Sequence, residues 1–352
     1  MKTMLKWPGG KESELFMITS RMPAFSGRYV EPFVGGGAVF FDQNAPSCCI
    51  NDLSEELINF YRRVKERDAD FENFVNLLCS EFASLARAVE EHAGAALDFY
   101  QGGIGADEYI GVCADVFSTV AGVNPQVFRR ELLRGLCSKQ SRSRKIESEK
   151  GALSDGDRLK NIESAVKSAY YMYVRHLFNH QRELSGGRQA AVFFFIREYC
   201  YSSMFRYNSS GEFNVPYGGI SYNRKDFRRK IDYLFSPEMG RKLAGTSISC
   251  QDFEPFVQSL NLTPDDFMFL DPPYDTAFSN YANNRFGRSE QHRLAECLRR
   301  TRARFMLVIK NTDFIYNLYR NDFKIESFEK SYLVSFKNRN DQDVVHLIIT
   351  NY

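Results

Sequence analysis

The sequence predicts an α/β fold whose sheet is interrupted by a long, mainly helical insertion, and three observations carry that expectation. Short apolar runs bounded by turn residues recur near both ends of the chain, amphipathic helical stretches lie between them, and the stretch from about 67 to 240 breaks the alternation. Short, continuously apolar runs suit strands buried on both faces, as in a parallel sheet.

In chain order, "RYVEPFV" (28 to 34) and "SCCIND" (47 to 52) read as the first strands, followed by a helix over "LSEELINFYRRVKE" (53 to 66). In that helix Ser54 is placed to cap the start, and Leu57, Ile58 and Tyr61 fall on one inward stripe. After the insertion come strands at "TSISCQ" (246 to 251), "FMFLD" (267 to 271), "FMLVIK" (305 to 310) and "VVHLIIT" (344 to 350), with a helix over 288 to 302. The α/β part is thus expected over 1–66 and 241–352, and the insertion over 67–240. Inside the insertion, "QGGIG" and "ELSGGRQ" read as turn clusters and "VFFFIREYCYSSMF" (192 to 205) as core packing.

Composition sets outer bounds. At 352 residues, 43% hydrophobic, the chain can bury a full core, and a net charge of +2 means that any nucleic-acid affinity must come from clustered charge. The eight cysteines form no Cys-x-x-Cys pair, so no zinc site or disulfide framework is expected and no metal is assigned. The N-terminus lacks an apolar signal core, and no apolar stretch approaches the roughly 20 residues of a membrane helix. The expectation is a soluble, cytoplasmic protein with buried thiols.

Two motifs carry chemistry. In "YVEPFVGGGAVFF" (29 to 41), Gly35, Gly36 and Gly37 follow a strand and precede a helical pattern, where glycines let the backbone approach a ligand. Asp52 closes the next strand 17 residues past Gly35, near the spacing at which nucleotide-binding folds set a carboxylate on ribose hydroxyls. Together they suggest an adenosine-containing cofactor, although a glycine triplet alone can be a plain turn. In "DPPY" (271 to 274), two prolines restrict the backbone beyond a strand, so the Asp271 side chain and the Pro272 carbonyl are held as acceptors beside the Tyr274 ring. An exocyclic amine on an aromatic ring satisfies both features. Accepting its two hydrogens frees the nitrogen lone pair, so catalysis would be positioning and electrostatics with no covalent intermediate. An isolated Asp-Pro-Pro is otherwise a rigid turn closing a core strand.

With "LKWPGGK" (5 to 11), "EPFVGGGAVFF" (31 to 41), "FRYNSSGEFNVPYGG" (205 to 219), "QDF" (251 to 253) and "DPPY" in this order, the chain resembles the Dam-type DNA adenine-N6 methyltransferases. The resemblance covers the α/β part and the segment 205–219, whereas residues 67–195 show no motif that aligns. It implies a Rossmann-like methyltransferase sheet, a DNA-recognition insertion with a β-hairpin, and S-adenosylmethionine as methyl donor. It places Trp7 and Lys11 at the methionine part of that cofactor, Glu31, Phe33 and the Gly35 to Gly37 turn at its centre, Asp52 at the ribose, and Asp252 with Phe253 at the adenine. It also implies a target adenine flipped out of duplex DNA, held by Asp271, Pro272 and Tyr274, with a cognate restriction endonuclease as a candidate partner. Flipping costs a few kcal/mol, and stacking on one ring recovers about 1–3 kcal/mol.

For DNA contact, Arg206 and Asn208 in the hairpin suit guanine and adenine edges, or phosphates. The run 128 to 150 holds eight basic residues against three acidic ones, Arg142, Arg144 and Lys145 among them, and suits phosphates, although such a run can equally be a solvated loop. Members of the family that read GATC carry an arginine after the "VP-aromatic-Gly" sequence. Here that position is Gly219, which puts GATC specificity in doubt. "FSNYANNRF" (278 to 286) is expected to close over the flipped base. The rivals are a methyltransferase for RNA or another planar amine, a nicotinamide-dependent oxidoreductase, which leaves "DPPY" without a task, and a non-catalytic DNA-binding module.

Overall fold

The structure, a computed structural model, describes residues 1–273, 286–331 and 343–352. They gather into two compact units, Met1–Lys65 with Pro237–Tyr352, and Glu66–Ser236.

In the first unit β1 (Tyr29–Glu31), β2 (Cys48–Asn51), β3 (Thr246–Ser249), β4 (Phe267–Leu270), β5 (Arg304–Lys310), β6 (Lys324–Ser331) and β7 (Asp343–Thr350) form one sheet, ordered β3-β2-β1-β4-β5-β7-β6. The first five pair in parallel, and β7 is antiparallel to both of its neighbours. The order 3-2-1-4-5 is that of a doubly wound nucleotide-binding sheet, where ligands lie outside the carboxyl ends of the strands at the point where the order reverses. Here the reversal falls between β1 and β4. Every residue of β2 and β4 is buried, which is why β4 is an unbroken apolar run and β2 is apolar up to its last residue, Asn51.

Two strands differ from the sequence reading. The run at 344–350 does not run parallel as expected: β7 is reversed, yet Leu347, Ile348 and Ile349 are buried. A continuous apolar run reports burial of both faces and not direction. β6 has no such run to announce it. Its sequence is mostly polar, it pairs with β7, and it carries exposed charge, with Glu326 2.9 Å from Arg21, as edge strands do.

The second unit is built on four long helices, each opened by a side-chain cap. Asp68 accepts from Phe71 N before Ala69–Glu91, Asn124 from Val127 N before Pro125–Lys150, Ser154 from Asp157 N before Asp155–Asn179, and Ser185 from Arg188 N before Gly186–Tyr199. The cluster "ELSGGRQ" is therefore a helix start. The basic run at 128–150 is helix and not loop. All but three residues of Gly186–Tyr199 are buried, so "VFFFIREY" is core packing as expected. A short antiparallel pairing follows, with Tyr207 opposite Phe213, Asn208 N to Glu212 O at 2.9 Å and Asn214 N to Arg206 O at 3.0 Å.

Candidate active site

The chain leaves β1 through the glycine turn and enters a short helix, Ala38–Asp42. Gly35 and Gly37 have φ of 47° and 71°, which side-chain-bearing residues rarely adopt. Close approach adds a second reason. A Cβ on Gly35 would lie 2.8 Å from Trp7 Cδ1, one on Gly36 3.0 Å from Trp7 Cβ, and one on Gly37 2.7 Å from the Tyr61 hydroxyl. Trp7 thus lies on the turn itself. The Gly35 N–H donates to Asp52 Oδ2 at 2.9 Å and the Ser54 N–H to Oδ1 at 3.0 Å. Burial raises the Asp52 carboxyl above its ordinary range, and these backbone donors oppose that rise. Each oxygen keeps acceptor capacity for a further hydroxyl.

Lys11 connects this turn to the end of β4. The "WPGGK" segment folds back, Gly10 N to Trp7 O at 3.2 Å, and Lys11 is buried with Nζ 3.0 Å from the Gly9 carbonyl and 2.5 Å from Asp271 Oδ2. The Asp271 side chain is 20% exposed. Glu31, ending β1 next to β4, is buried and accepts from the Tyr29 hydroxyl at 2.6 Å. Burial pushes its carboxyl up to about 8; the Tyr29 bond opposes this and the Asp271 charge adds to it. Pro272 is buried beside Asp271, and the Pro273 carbonyl accepts from Gln291 Nε2 at 3.1 Å. Tyr274 and residues 278–285 lie outside the described residues.

A third cluster joins the loops after β1 and β3. Asp252 caps the helix Phe253–Ser259 through Glu254 N, and Arg293 Nη2 reaches its Oδ1 at 2.7 Å. Phe253 is buried, 5.5 Å from the Phe33 ring and 5.8 Å from Phe286, with the Arg293 guanidinium 5.0 Å above it. Asn51 ties the two loops together: Nδ2 donates to the Pro32 and Gln251 carbonyls at 3.0 and 2.9 Å, and Oδ1 accepts from Gln251 N at 3.1 Å.

Trp7, the glycines and Asp52 therefore meet, as do Lys11 with Asp271 and Phe33 with Phe253. Sequence reasoning missed Gln291, Arg293 and Asn51. Gln291 did carry a signal, because it is fully buried in phase with Leu294, Ala295 and Leu298 on an amphipathic helix. Asn51 is the polar end of a buried strand.

Within the second unit, Arg206 Nε donates to Asn214 Oδ1 at 2.7 Å and Nη2 to the Asn214 carbonyl at 3.1 Å, leaving other N–H groups of the fork for a ligand. Asn208 is engaged in the turn: Oδ1 accepts from Ser210 N and Glu212 N, and Nδ2 donates to Glu212. A two-pronged contact with adenine would have to break those bonds. Arg142, Arg144 and Lys145 are all exposed, and Arg144 Nε donates to the Tyr100 carbonyl at 3.1 Å.

A glycine turn, an acid after the second strand and an ion pair gathered at the switch point of this sheet define an α/β enzyme of the methyltransferase fold class. The family model for D12 class N6 adenine-specific DNA methyltransferases matches residues 7–91 and 144–334, and the chain belongs to that family. It is an adenine-specific DNA methyltransferase. The type II methyltransferase M.CviBI of Paramecium bursaria Chlorella virus NC1A is 25% identical over 358 residues, 100% of each chain. The retron Ec67 DNA adenine methylase of Escherichia coli is 25% identical over 324 residues, covering 91% of this chain and 81% of its own length. The DNA adenine methylase of Haemophilus influenzae is 23% identical, covering 84% and 73% respectively. The family match corrects the sequence reading of 67–195, since only 92–143 falls outside it. Core helices preserve apolar spacing and not chemical motifs, so motif reading passes over them. Among the described residues no helix is long and apolar enough to cross a membrane.

Proposed function

We propose that the chain methylates the N6 of an adenine flipped out of duplex DNA, with S-adenosylmethionine as donor. The observation that supports this most is the Lys11–Asp271 contact, which sets the Asp-Pro-Pro acid beside the glycine turn. The residues fit that cofactor. Asp52 retains acceptor positions for ribose hydroxyls, the half-buried Phe33, backed by the buried Phe253, offers ring surface for an adenine with Asp252 at its edge, and Trp7, Lys11 and Glu31 line the turn where the rest would lie. When bound, S-adenosylmethionine supplies an electrophilic methyl group on a sulfonium.

The protein's part is to hold the amine. Asp271 accepts one amine hydrogen and the Pro272 carbonyl the other, which localises the nitrogen lone pair, while the Tyr274 ring carries the flipped base. Lys11 keeps the Asp271 carboxylate in place, and its ammonium balances the charge. An N–C bond formed as the sulfonium S–C bond breaks, its electron pair staying on sulfur, would leave one surplus proton on nitrogen, and Asp271 is the acceptor at hand. In the insertion, 67–240, Arg206, with Arg142 and Lys145 on the basic helix, supplies base and phosphate contacts; Asn208 shapes the turn, and Arg144 supports its helix.

Relatives named type II methyltransferases make a cognate restriction endonuclease the partner to look for. Eight free thiols, five of them buried, suit a reducing cytoplasm. The test is incubation with methyl-labelled S-adenosylmethionine and unmethylated genomic DNA, followed by mapping of modified bases. Label on the N6 of adenine in one sequence context, lost in Asp271→Ala with DNA binding retained, is expected. Label on another base, or full turnover by Asp271→Ala, refutes it.

A further inference from the structure

The hairpin of the second unit hangs from the end of the helix Gly186–Tyr199 by a side chain to which the reaction assigns no task. Arg197 is 0% exposed. A guanidinium so placed needs acceptors, and it finds backbone ones: Nη2 donates to the Ser203 carbonyl at 2.6 Å and Nη1 to the Met204 carbonyl at 3.1 Å. Its Cζ lies 3.8 Å from the centre of the Phe205 ring, a cation–π contact.

The segment it grips is strained. Ser202 and Ser203 have φ of 51° and 52°, in the left-handed region that non-glycine residues enter only where the surroundings over-determine them. Arg197 supplies that determination from inside. The second arm is fastened separately, since Asn179 exchanges hydrogen bonds of 3.1 and 2.9 Å with Phe213, and the Tyr171 hydroxyl donates to the Val215 carbonyl at 2.9 Å. Arg206, held on Asn214, stands between the two anchorages.

We propose that Arg197 is a positioning residue for sequence discrimination: by holding two carbonyls of the left-handed serine turn, it fixes how residues 204–206 are presented to base edges. The inference rests on the reading that this hairpin contacts DNA. Lysine is a poor substitute, because one ammonium lacks the planar fork that reaches both carbonyls at once.

The test compares binding of a duplex carrying the adenine context mapped in genomic DNA with binding of a duplex in which that context is scrambled. Wild type, Arg197→Lys, Arg197→Met, Arg206→Ala and the Arg197→Met/Arg206→Ala pair are measured, with folding checked by circular dichroism. Arg197→Met should keep its affinity for the scrambled duplex within about two-fold, since phosphate contacts carry it, and lose about ten-fold or more of the ratio between duplexes. Arg197→Lys should fall between. The double variant should discriminate no worse than Arg206→Ala alone, because both changes act through one contact. Full discrimination by a folded Arg197→Met, or losses that multiply in the double variant, overturns the inference. Failure of both Arg197 variants to fold also overturns it, by assigning the residue to stability alone. Wild-type discrimination by Arg206→Ala would mean that the hairpin reading itself has failed, and this inference with it.

Discussion

Lys11 Nζ and Asp271 Oδ2 lie 2.5 Å apart although 260 residues separate them, and Lys11 is almost wholly buried. Removing one partner of a fully buried pair costs about 3–5 kcal/mol. With Asp271 a fifth exposed, Lys11→Met should cost less, about 1–3 kcal/mol. Lys11→Met/Asp271→Asn should recover most of that stability without recovering turnover. Thermal denaturation and methyl transfer, measured together, check this. A double variant as unstable as Lys11→Met would contradict it.

Glu31 gives a pH dependence whose sign can be worked out. Its folded carboxyl titrates near 8, against an unfolded value near 4.5, because it is buried. Between those values the folded state binds the extra proton, so stability falls as pH rises and the cost is complete above about 8. Glu31→Gln should remove this slope, and the variant should gain on wild type in melting temperature from pH 5 to pH 8.5. Since a cationic ligand beside Glu31 favours the carboxylate, affinity for the sulfonium donor should also climb with pH towards 8. That climb should be weaker for its thioether product and absent in Glu31→Gln; titration calorimetry at several pH values decides.

Gly37→Ala combines a positive φ with a Cβ 2.7 Å from the Tyr61 hydroxyl. A destabilisation of about 1–3 kcal/mol is expected, together with loss of cofactor binding, because the turn must shift. Wild-type cofactor affinity in a folded Gly37→Ala would rule out the glycine turn as part of that site.

Asn51→Ala removes three hydrogen bonds and strands the buried Pro32 carbonyl and the part-buried backbone groups of Gln251. At about 1 kcal/mol per bond, plus the desolvation of what is left, a loss of about 2–4 kcal/mol is expected. The Phe33 and Asp252 loops should loosen together, so cofactor affinity should drop while DNA binding persists. Unchanged affinity in the presence of a lowered melting temperature would confine Asn51 to stability.

Tyr274→Ala should lower methylation roughly 5- to 150-fold, the equivalent of about 1–3 kcal/mol of stacking, and leave cofactor binding nearly intact. Loss of cofactor binding instead would place the ring on the cofactor and not on the base.

Much of the fold was legible because burial leaves a mark in residue type. β4 announces itself as an unbroken apolar run and β2 as one that is apolar up to Asn51, and Ser54 with Leu57, Ile58 and Tyr61 announces the helix Glu55–Glu66. β6 was hidden because an edge strand has no such run, and the reversal of β7 because strand direction is set by neighbours distant in sequence. At the candidate site, acids after strands and glycines in a turn could be placed by spacing. The meeting of Lys11 with Asp271 could not, since it depends on β1 and β4 becoming neighbours. Nor could the commitment of Asn208 to its own turn, which an isolated asparagine does not advertise.

The distance along the chain between Lys11 and Asp271 has a consequence for biosynthesis. A ribosome emits the first of these residues long before the second, so a nascent or truncated polypeptide that stops before β4 holds a lysine with no acid to meet. With Asp271 holding the amine as proposed, methylating capacity is expected only once β4 has been made, and products terminated before it should be inert.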